Sequence, residues 1–112
     1  MLRSYPCQGL IGGGSAGLVS AYIAAAVKAK VTLIEQAHMG GDCLNTGCVP
    51  SKALLAAAHA AAAARRAGRF GVRLPEPDID WAGVRAHVTG AIAAIAPNDA
   101  EERFTAMGVT VV

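Results

Sequence analysis

The sequence is poor in aromatic residues and in charge. One tryptophan, two tyrosines and two phenylalanines occur among 112 residues, and 16% of the residues are charged. So few aromatic side chains leave a thin core for the length of the chain. A hydrophobic content of 54%, much of it alanine, still indicates a globular rather than a disordered chain. The net charge of +2 is too small to suggest nucleic acid as a partner.

Cysteine is also scarce, and its number is odd. Three cysteines argue against a secreted scaffold stapled by disulfides, so we expect a cytoplasmic protein. Cys43 and Cys48 lie close together, which in that compartment indicates redox or metal chemistry. Cys7 has no evident partner in the sequence.

The N-terminal part lacks charge between Arg3 and Lys28, which is one property of a signal peptide or a membrane anchor. The three glycines at positions 12–14 interrupt this stretch at its centre, where an apolar helix would carry leucines. We therefore expect no membrane segment.

Predicted strands and helices alternate along the chain, which favours an α/β fold. Residues 10–11 end a short first strand, and apolar residues at three- and four-residue spacing over 18–26 predict a helix. The β-branched run at 31–34 predicts a second strand, and the segment 36–50, rich in Gly, Asn and Asp, predicts a loop.

Beyond residue 50 the sequence predicts further helices and a last strand. These are a helix over 51–67, a surface connection over 68–80, a helix from Trp81 that ends at Pro97, a short helix over about 99–107, and a strand over 109–112. The last strand has nothing to pair with in this prediction. We therefore expect an incomplete domain.

Three glycines between the first strand and the first helix form the pattern Gly12-x-Gly14-x-x-Gly17. This pattern is typical of a turn that binds a dinucleotide, with the pyrophosphate at the N-terminus of the helix. Glu35 follows the second strand, where its carboxylate can accept hydrogen bonds from ribose hydroxyls. A glycine-rich turn in an alanine-rich helical protein is the alternative. The first strand weakens the prediction, because Pro6 and Gly9 fit a buried strand poorly.

Cys43 and Cys48 are too far apart in an ideal helix to form a disulfide, which needs Cα atoms within roughly 7 Å. They can close only where the backbone is distorted, and Gly47 and Pro50 provide the means. Both precede or begin the predicted helix over 51–67, whose N-terminus favours thiolate. We therefore predict a redox-active pair.

A zinc site formed by these two cysteines with His38 or His59 is a weaker alternative, because zinc sites prefer shorter cysteine spacing and four ligands. We interpret His38, His59 and His87 as surface or capping residues. No metal is expected.

Residues 40–52, with the sequence GGDCLNTGCVPSK, closely resemble the active-site signature of the pyridine nucleotide-disulfide oxidoreductases. This family includes dihydrolipoamide dehydrogenase, glutathione reductase and mercuric reductase. The signature is specific, it follows the glycine-rich motif at the expected distance, and the similarity extends from about Leu10 to Val112.

The resemblance implies a Rossmann-like FAD-binding β-α-β unit that carries a redox-active cysteine helix, with residues 1–112 as the N-terminal part of an FAD-binding domain. It implies that electrons pass from NAD(P)H through FAD to Cys43 and Cys48, and then to a small-molecule or disulfide substrate or to mercuric ion. The complete enzyme would be a homodimer with NAD(P)H and dimerisation domains. The chain of 112 residues alone would be inactive.

The resemblance also implies a role for each matched residue. The cofactor site would be formed by Gly12, Gly14, Ser15, Gly17, Glu35, Gly41 and Lys52. Cys43 would be the interchange thiol that attacks substrate, and Cys48 the thiol that faces the flavin and persists as a thiolate. Lys52, near the flavin N5, would complete the catalytic group.

Three positions depart from the family pattern. Asp42 stands where many members have threonine and Thr46 where many have valine, and both favour the mercuric-reductase-like branch. Lys28 stands where a helix-ending glycine is common. Two alternatives to the flavoenzyme stay open: a thiol-redox module without flavin, and an inert product of a truncated gene.

Overall fold

The computed structural model describes residues 7–112, so Tyr5 and Pro6 of the predicted first strand lie outside the described residues. The elements in chain order are β1 (Gln8–Ile11), α1 (Ser15–Ala26), β2 (Val31–Ile34), α2 (Gly41–Asn45), α3 (Cys48–Arg66), a 3₁₀ turn (Ala67–Phe70), α4 (Trp81–Asp99), α5 (Glu101–Ala106) and β3 (Val109–Val111).

The three strands form one parallel sheet in the order β1-β2-β3. Gln8 pairs with Val31, and Val31 pairs in turn with Val109. The predicted α/β class is therefore confirmed. The expectation that the last strand has no partner is wrong, because β3 pairs with β2.

The core is one small cluster between the sheet and its helices. In β2, Val31 and Leu33 are buried while Ile34 is exposed, so one face of the strand is covered. The cluster consists of Leu18, Ala21 and Ala25 of α1, Val31 and Leu33 of β2, Phe104 of α5, and Val109 of β3. The packed sheet and α1 thus fix the position of the glycine-rich turn that connects β1 to α1.

Helices α3 and α4 pack against each other as a pair that extends away from the sheet. The described residues span 71 × 26 × 18 Å. Helix α4 has no buried residue, and Trp81 at its start is 64% exposed. The apolar face predicted for this helix is half-buried at Val84, Val88 and Ile92 and exposed at Ile95.

Several predicted boundaries are wrong. The segment expected as a loop over 36–50 contains α2, and α3 begins at Cys48 rather than at residue 51. Pro50 fits the first turn of α3 because the amide nitrogens there need no helical acceptor. Helix α4 continues past Pro97, where one hydrogen bond is lost near its end, and stops because Ala100 is extended, with ψ of 149°.

Lys28 marks the end of α1. Its φ is 62°, in the left-handed region, and its amide donates to the carbonyl of Ala25. A residue in this conformation commonly terminates a helix and is usually glycine, because a Cβ is disfavoured there. The structure thus gives the physical reason why a glycine would suit this position.

Candidate functional site

The turn between β1 and α1 requires two of its glycines for its own packing. Gly12 has φ of 102°, a conformation that side chains disfavour, and its amide donates to the carbonyl of Ile34 at 2.8 Å. A Cβ on Gly17 would lie 1.8 Å from the carbonyl oxygen of Gly12. Gly12 and Gly17 are therefore needed for β1 and α1 to meet.

Gly14 is different, because the fold itself leaves room for a side chain there. A Cβ on Gly14 would meet its nearest neighbour, the Cα of Gly41, at 3.9 Å, and its φ of −81° suits any residue. Gly14 is the N-cap of α1, where the first amide groups have no acceptor within the helix. The bare backbone at this point therefore suits the close approach of an anionic ligand.

Glu35 ties the end of β2 to the same turn. Its carboxylate accepts from the amide of Gly13 at 2.5 Å and from the amide of Ala37 at 2.8 Å. The Gly13 hydrogen bond, and then that of Ala37, lower the pKa of Glu35 below its ordinary value. Each carboxylate oxygen keeps a lone pair for a further donor, and a surface pocket lies beside it, lined by Ile11, Gly12, Ile34, Glu35 and Gln36.

The cysteine segment packs directly on the glycine-rich turn. The amide of Gly40 donates to the carbonyl of Gly13 at 2.8 Å. A Cβ on Gly41 would lie 2.8 Å from the Cα of Gly14, and Gly41 has φ of 54°. The paired glycines at 40–41 therefore let two backbones touch, which a side chain at Gly41 would prevent.

A break between α2 and α3 brings the two cysteines together. Cys43 lies in α2 and Cys48 is the first residue of α3. The break is at Gly47, where a Cβ would lie 2.8 Å from the carbonyl oxygen of Asp42. Asn45 closes α2 by donating its side-chain amide to the carbonyl of Gly41 at 2.8 Å. Glycine at 47 thus provides the distortion that the sequence predicted.

Both cysteines are free thiols, and each lies close enough to the other to shift its pKa. The contact with Cys48 lowers the pKa of Cys43, followed by a hydrogen bond from Ser15, and Lys52 adds a favourable charge. The same contact with Cys43 raises the pKa of Cys48. In the protein without a bound flavin, Cys48 and then Ser15 favour a thiolate at Cys43, and the expectation that Cys48 is the persistent thiolate beside the flavin stays a prediction.

Cys43 and the glycine-rich turn face one open pocket. It is lined by Ile11, Gly12, Gly14, Ser15, Ala16, Gly17, Asp42 and Cys43. Ser15 is the first residue of α1 and lines the same pocket as Cys43. Lys52 is exposed in the second turn of α3. Of the residues predicted for the cofactor and the redox pair, Gly12, Gly14, Ser15, Gly17 and Cys43 line this pocket, and Glu35 lines the neighbouring one.

The two departures from the family signature contact each other. The hydroxyl of Thr46 lies 3.3 Å from the Asp42 carboxylate and 3.5 Å from its backbone carbonyl, one turn apart on α2. Asp42 and Thr46 therefore form a local exposed pair. Their identities are explained at least as well by this contact as by a choice of substrate.

The histidines do not contribute to this site. His38, His59 and His87 are exposed, in agreement with the surface assignment. Across residues 7–112, no three His, Cys, Asp or Glu side chains are grouped to hold a metal ion. Within the same residues, no helix is long and apolar enough to cross a membrane.

Sequence reasoning missed Gly13 and Gly40, which make the contacts between the parts of the site. The dinucleotide pattern singles out the glycines on either side of Gly13, and the middle position is free in it. The three consecutive glycines at 12–14 were the available signal, since a Cβ on Gly13 would lie 3.0 Å from the Glu35 carboxylate.

The structure thus combines a parallel β-α-β unit, a glycine-rich turn and two neighbouring thiols, which defines an α/β protein of a thiol-redox class. Residues 10–111 match the family profile of the pyridine nucleotide-disulphide oxidoreductases. The chain belongs to this family, and its fold is Rossmann-like.

Two relatives and one solved structure support this family assignment. The chain is 47% identical over 81 residues to dihydrolipoyl dehydrogenase of Chlamydia muridarum, covering 72% of this chain and 17% of the relative. It is 41% identical over 76 residues to dihydrolipoyl dehydrogenase of Geobacillus stearothermophilus, covering 68% of this chain and 16% of the relative. The crystal structure of LpdA from Mycobacterium tuberculosis superposes with a TM-score of 0.80 at 30% identity, covering 96% of this chain and 23% of that one. The chain thus spans less than a quarter of the length of these proteins.

Proposed function

We propose that this protein is an FAD-dependent oxidoreductase in which electrons from NAD(P)H pass through FAD to Cys43 and Cys48 and on to a small disulfide substrate. The observation that carries the proposal is the shared pocket, where Cys43 lies beside the turn formed by Gly12, Gly14 and Gly17. A nucleotide held at this turn would end next to the thiols.

The residues present fit the adenine half of FAD. The bare backbone at Gly14, followed by the first turn of α1, suits a pyrophosphate. The half-buried carboxylate of Glu35 keeps acceptor capacity for ribose hydroxyls, and its negative charge disfavours a 2′-phosphate. Ser15, Gly41 and Lys52 would complete the cofactor site.

The thiols would act in sequence. Cys43 attacks one sulfur of the substrate disulfide as a thiolate, releasing the other sulfur and forming a mixed disulfide. Cys48 then attacks the Cys43 sulfur, which releases the second substrate sulfur as a thiol and leaves a Cys43–Cys48 disulfide. The substrate gains two electrons and the pair loses two. Bound flavin, once reduced by NAD(P)H, would supply the two electrons that restore the dithiol.

The surroundings of each thiol support these roles. Ser15 and Cys48 donate to Cys43 and lower its pKa, which raises the thiolate fraction of the attacking residue. Lys52 contributes positive charge to both thiols. In the protein without flavin, the contact with Cys43 raises the pKa of Cys48 at the start of α3, so Cys43 rather than Cys48 is favoured as the attacking thiolate.

The substrate proposal follows the relatives. Those reported above are named dihydrolipoyl dehydrogenases, so we propose a lipoyl-type dithiol or disulfide, which the same steps serve in either direction. The case for mercuric ion as the substrate depends on Asp42 and Thr46. Their contact with each other already gives a structural reason for these two residues. We further propose a cytoplasmic homodimer, with residues 1–112 as the N-terminal part of the FAD-binding domain and inactive alone.

The test is a thiol-to-flavin absorption measurement on the intact protein. Two-electron reduction should give a long-wavelength band, since a thiolate adjacent to an oxidised flavin donates charge to it. Cys43→Ser should keep the band and lose disulfide turnover, whereas Cys48→Ser should lose both. A protein purified without bound flavin that still reduces disulfides would contradict the proposal in favour of a flavin-free thiol module.

A further inference from the structure

Gly13 joins two parts of the site that have separate roles in the proposed function. Its amide donates to the Glu35 carboxylate at 2.5 Å, and its carbonyl accepts from the amide of Gly40 at 2.8 Å. The two hydrogen bonds come from the two peptide groups that flank the Cα of Gly13, a residue that is itself buried. A displacement of Glu35 therefore displaces the segment that begins α2.

The contact continues from Gly40 to the thiol. The carbonyl of Gly40 accepts from the amide of Leu44 at 3.3 Å, in the first turn of α2, and Leu44 is buried. Cys43 lies in that turn, with Ser15 of α1 beside it. Gly41 touches Gly14 so closely that a Cβ would lie 2.8 Å from the Cα of Gly14. The position of Cys43 relative to Ser15 thus depends on how α2 sits on the turn.

We propose that Glu35 is a positioning residue for the redox pair: through Gly13 and Gly40 its carboxylate holds α2 so that Cys43 lies against Ser15. This role is additional to ribose binding and rests on the proposed function for its significance in catalysis. It operates in the protein without flavin, since every contact in the path belongs to the chain itself.

A charged acceptor suits this purpose. A carboxylate forms a stronger hydrogen bond to an amide than a neutral acceptor does. The amide of Ala37 holds the other carboxylate oxygen at 2.8 Å, so the side chain is fixed from both sides. Replacement by alanine would leave the Gly13 amide without its acceptor and would free the turn to move.

The experiment measures iodoacetamide alkylation of each cysteine by peptide mass spectrometry, in reduced intact protein without flavin at neutral pH. The exposed Cys7 is the internal reference, so the ratio of Cys43 to Cys7 labelling is independent of concentration. Glu35→Ala should lower that ratio about fivefold, the factor that one ordinary hydrogen bond to the thiolate contributes. Glu35→Gln keeps an oxygen acceptor for the Gly13 amide and should lower the ratio less than about twofold.

Two further variants separate positioning from general damage. Glu76→Ala removes an exposed carboxylate that pairs with Arg65 far along the chain, and it should leave the ratio unchanged. Gly41→Ala disturbs the packing of α2 on Gly14 while Glu35 is intact, and it should lower the ratio as Glu35→Ala does. Circular dichroism measures whether each variant is folded, and Gly41→Ala carries the test if Glu35→Ala unfolds, because it disturbs the same packing of α2 on the turn.

Three results would overturn the proposal: an unchanged ratio in folded Glu35→Ala, a full loss in Glu35→Gln, or an unchanged ratio in folded Gly41→Ala. None of these depends on flavin binding or on turnover. Failure here therefore leaves the proposed function untouched, and absence of flavin from the purified protein leaves this test unaffected.

Discussion

Gly17 and Gly14 provide a contrast between a glycine that the fold needs and a glycine that a ligand needs. A Cβ on Gly17 would lie 1.8 Å from the carbonyl oxygen of Gly12, which is backbone and cannot rotate away. Relief requires α1 to shift from β1 by more than an ångström. We expect Gly17→Ala to lower the free energy of unfolding by about 3 kcal/mol, the upper end of the range for overpacking.

Gly14→Ala should behave in the opposite way. Its Cβ would have ordinary contact, 3.9 Å from the Cα of Gly41, and its backbone conformation suits alanine. The loss of a favourable N-cap residue and the gain in backbone stiffness are each below about 1 kcal/mol and oppose each other. We therefore expect an unfolding midpoint close to that of the unmodified protein, with nucleotide affinity reduced at least about tenfold, because the methyl group occupies the position where a pyrophosphate would approach.

Urea titration followed by circular dichroism measures the first quantity, and fluorescence or calorimetric titration with FAD measures the second. The two substitutions add the same methyl group to neighbouring positions of one turn, so each serves as the control for the other. Equal unfolding midpoints for the two variants would refute the steric reasoning. Full FAD affinity in Gly14→Ala would refute the assignment of the pyrophosphate to this turn.

Four further predictions follow from individual contacts. The pKa of Glu35 is lowered in the folded protein, so its contribution to stability is present above the unfolded pKa of 4.5 and is lost as pH falls through the folded pKa. Unfolding measured over a series of acidic pH values should show this loss of stability, and Glu35→Gln should abolish the pH dependence. Cys43 should be alkylated half-maximally below pH 9.0 and Cys48 above it, and the reverse order by mass spectrometry would contradict the hydrogen-bond assignment. Glu35→Ala should reduce FAD occupancy more than Asp42→Thr in the intact protein, because Asp42 contacts its own helix; equal occupancy would remove the ribose role. Lys28→Gly should raise the free energy of unfolding by about 1 kcal/mol by relieving the left-handed conformation, and an unchanged urea midpoint would count against that strain.

Helix boundaries show where local sequence signals are insufficient. The glycines and polar residues over 36–50 indicated a loop, yet residues 41–45 form α2, which begins where Gly40 and Gly41 adopt left-handed conformations and pack on the glycine-rich turn. Pro97 is a strong local stop signal, but α4 ends two residues later at Asp99, because the change to extended backbone occurs at Ala100. At α2 a tertiary contact, and at the end of α4 the conformation of the next residue, outweighed the local preference of the sequence for loop or helix end.

The sequence by itself determined the chemistry of this protein. The spacing of Gly12, Gly14 and Gly17, the acid after β2 and the signature over 40–52 are local patterns, because each reflects what a few neighbouring residues must do to one ligand or to one disulfide. They were sufficient to predict the α/β class, the family, and the glycines and Cys43 that line the pocket.

The tertiary structure alone decided how those parts are connected and which groups surround each thiol. Gly13 accepts and donates between residues distant in sequence, and the pKa of Cys43 is lowered by Cys48 and then by Ser15, which lies on another helix. The helix N-terminus, a local feature, favoured a thiolate at Cys48, whereas the contact with Ser15 across the fold favours one at Cys43. Contacts of this kind have no local pattern, because they exist only once α2 has packed on the turn.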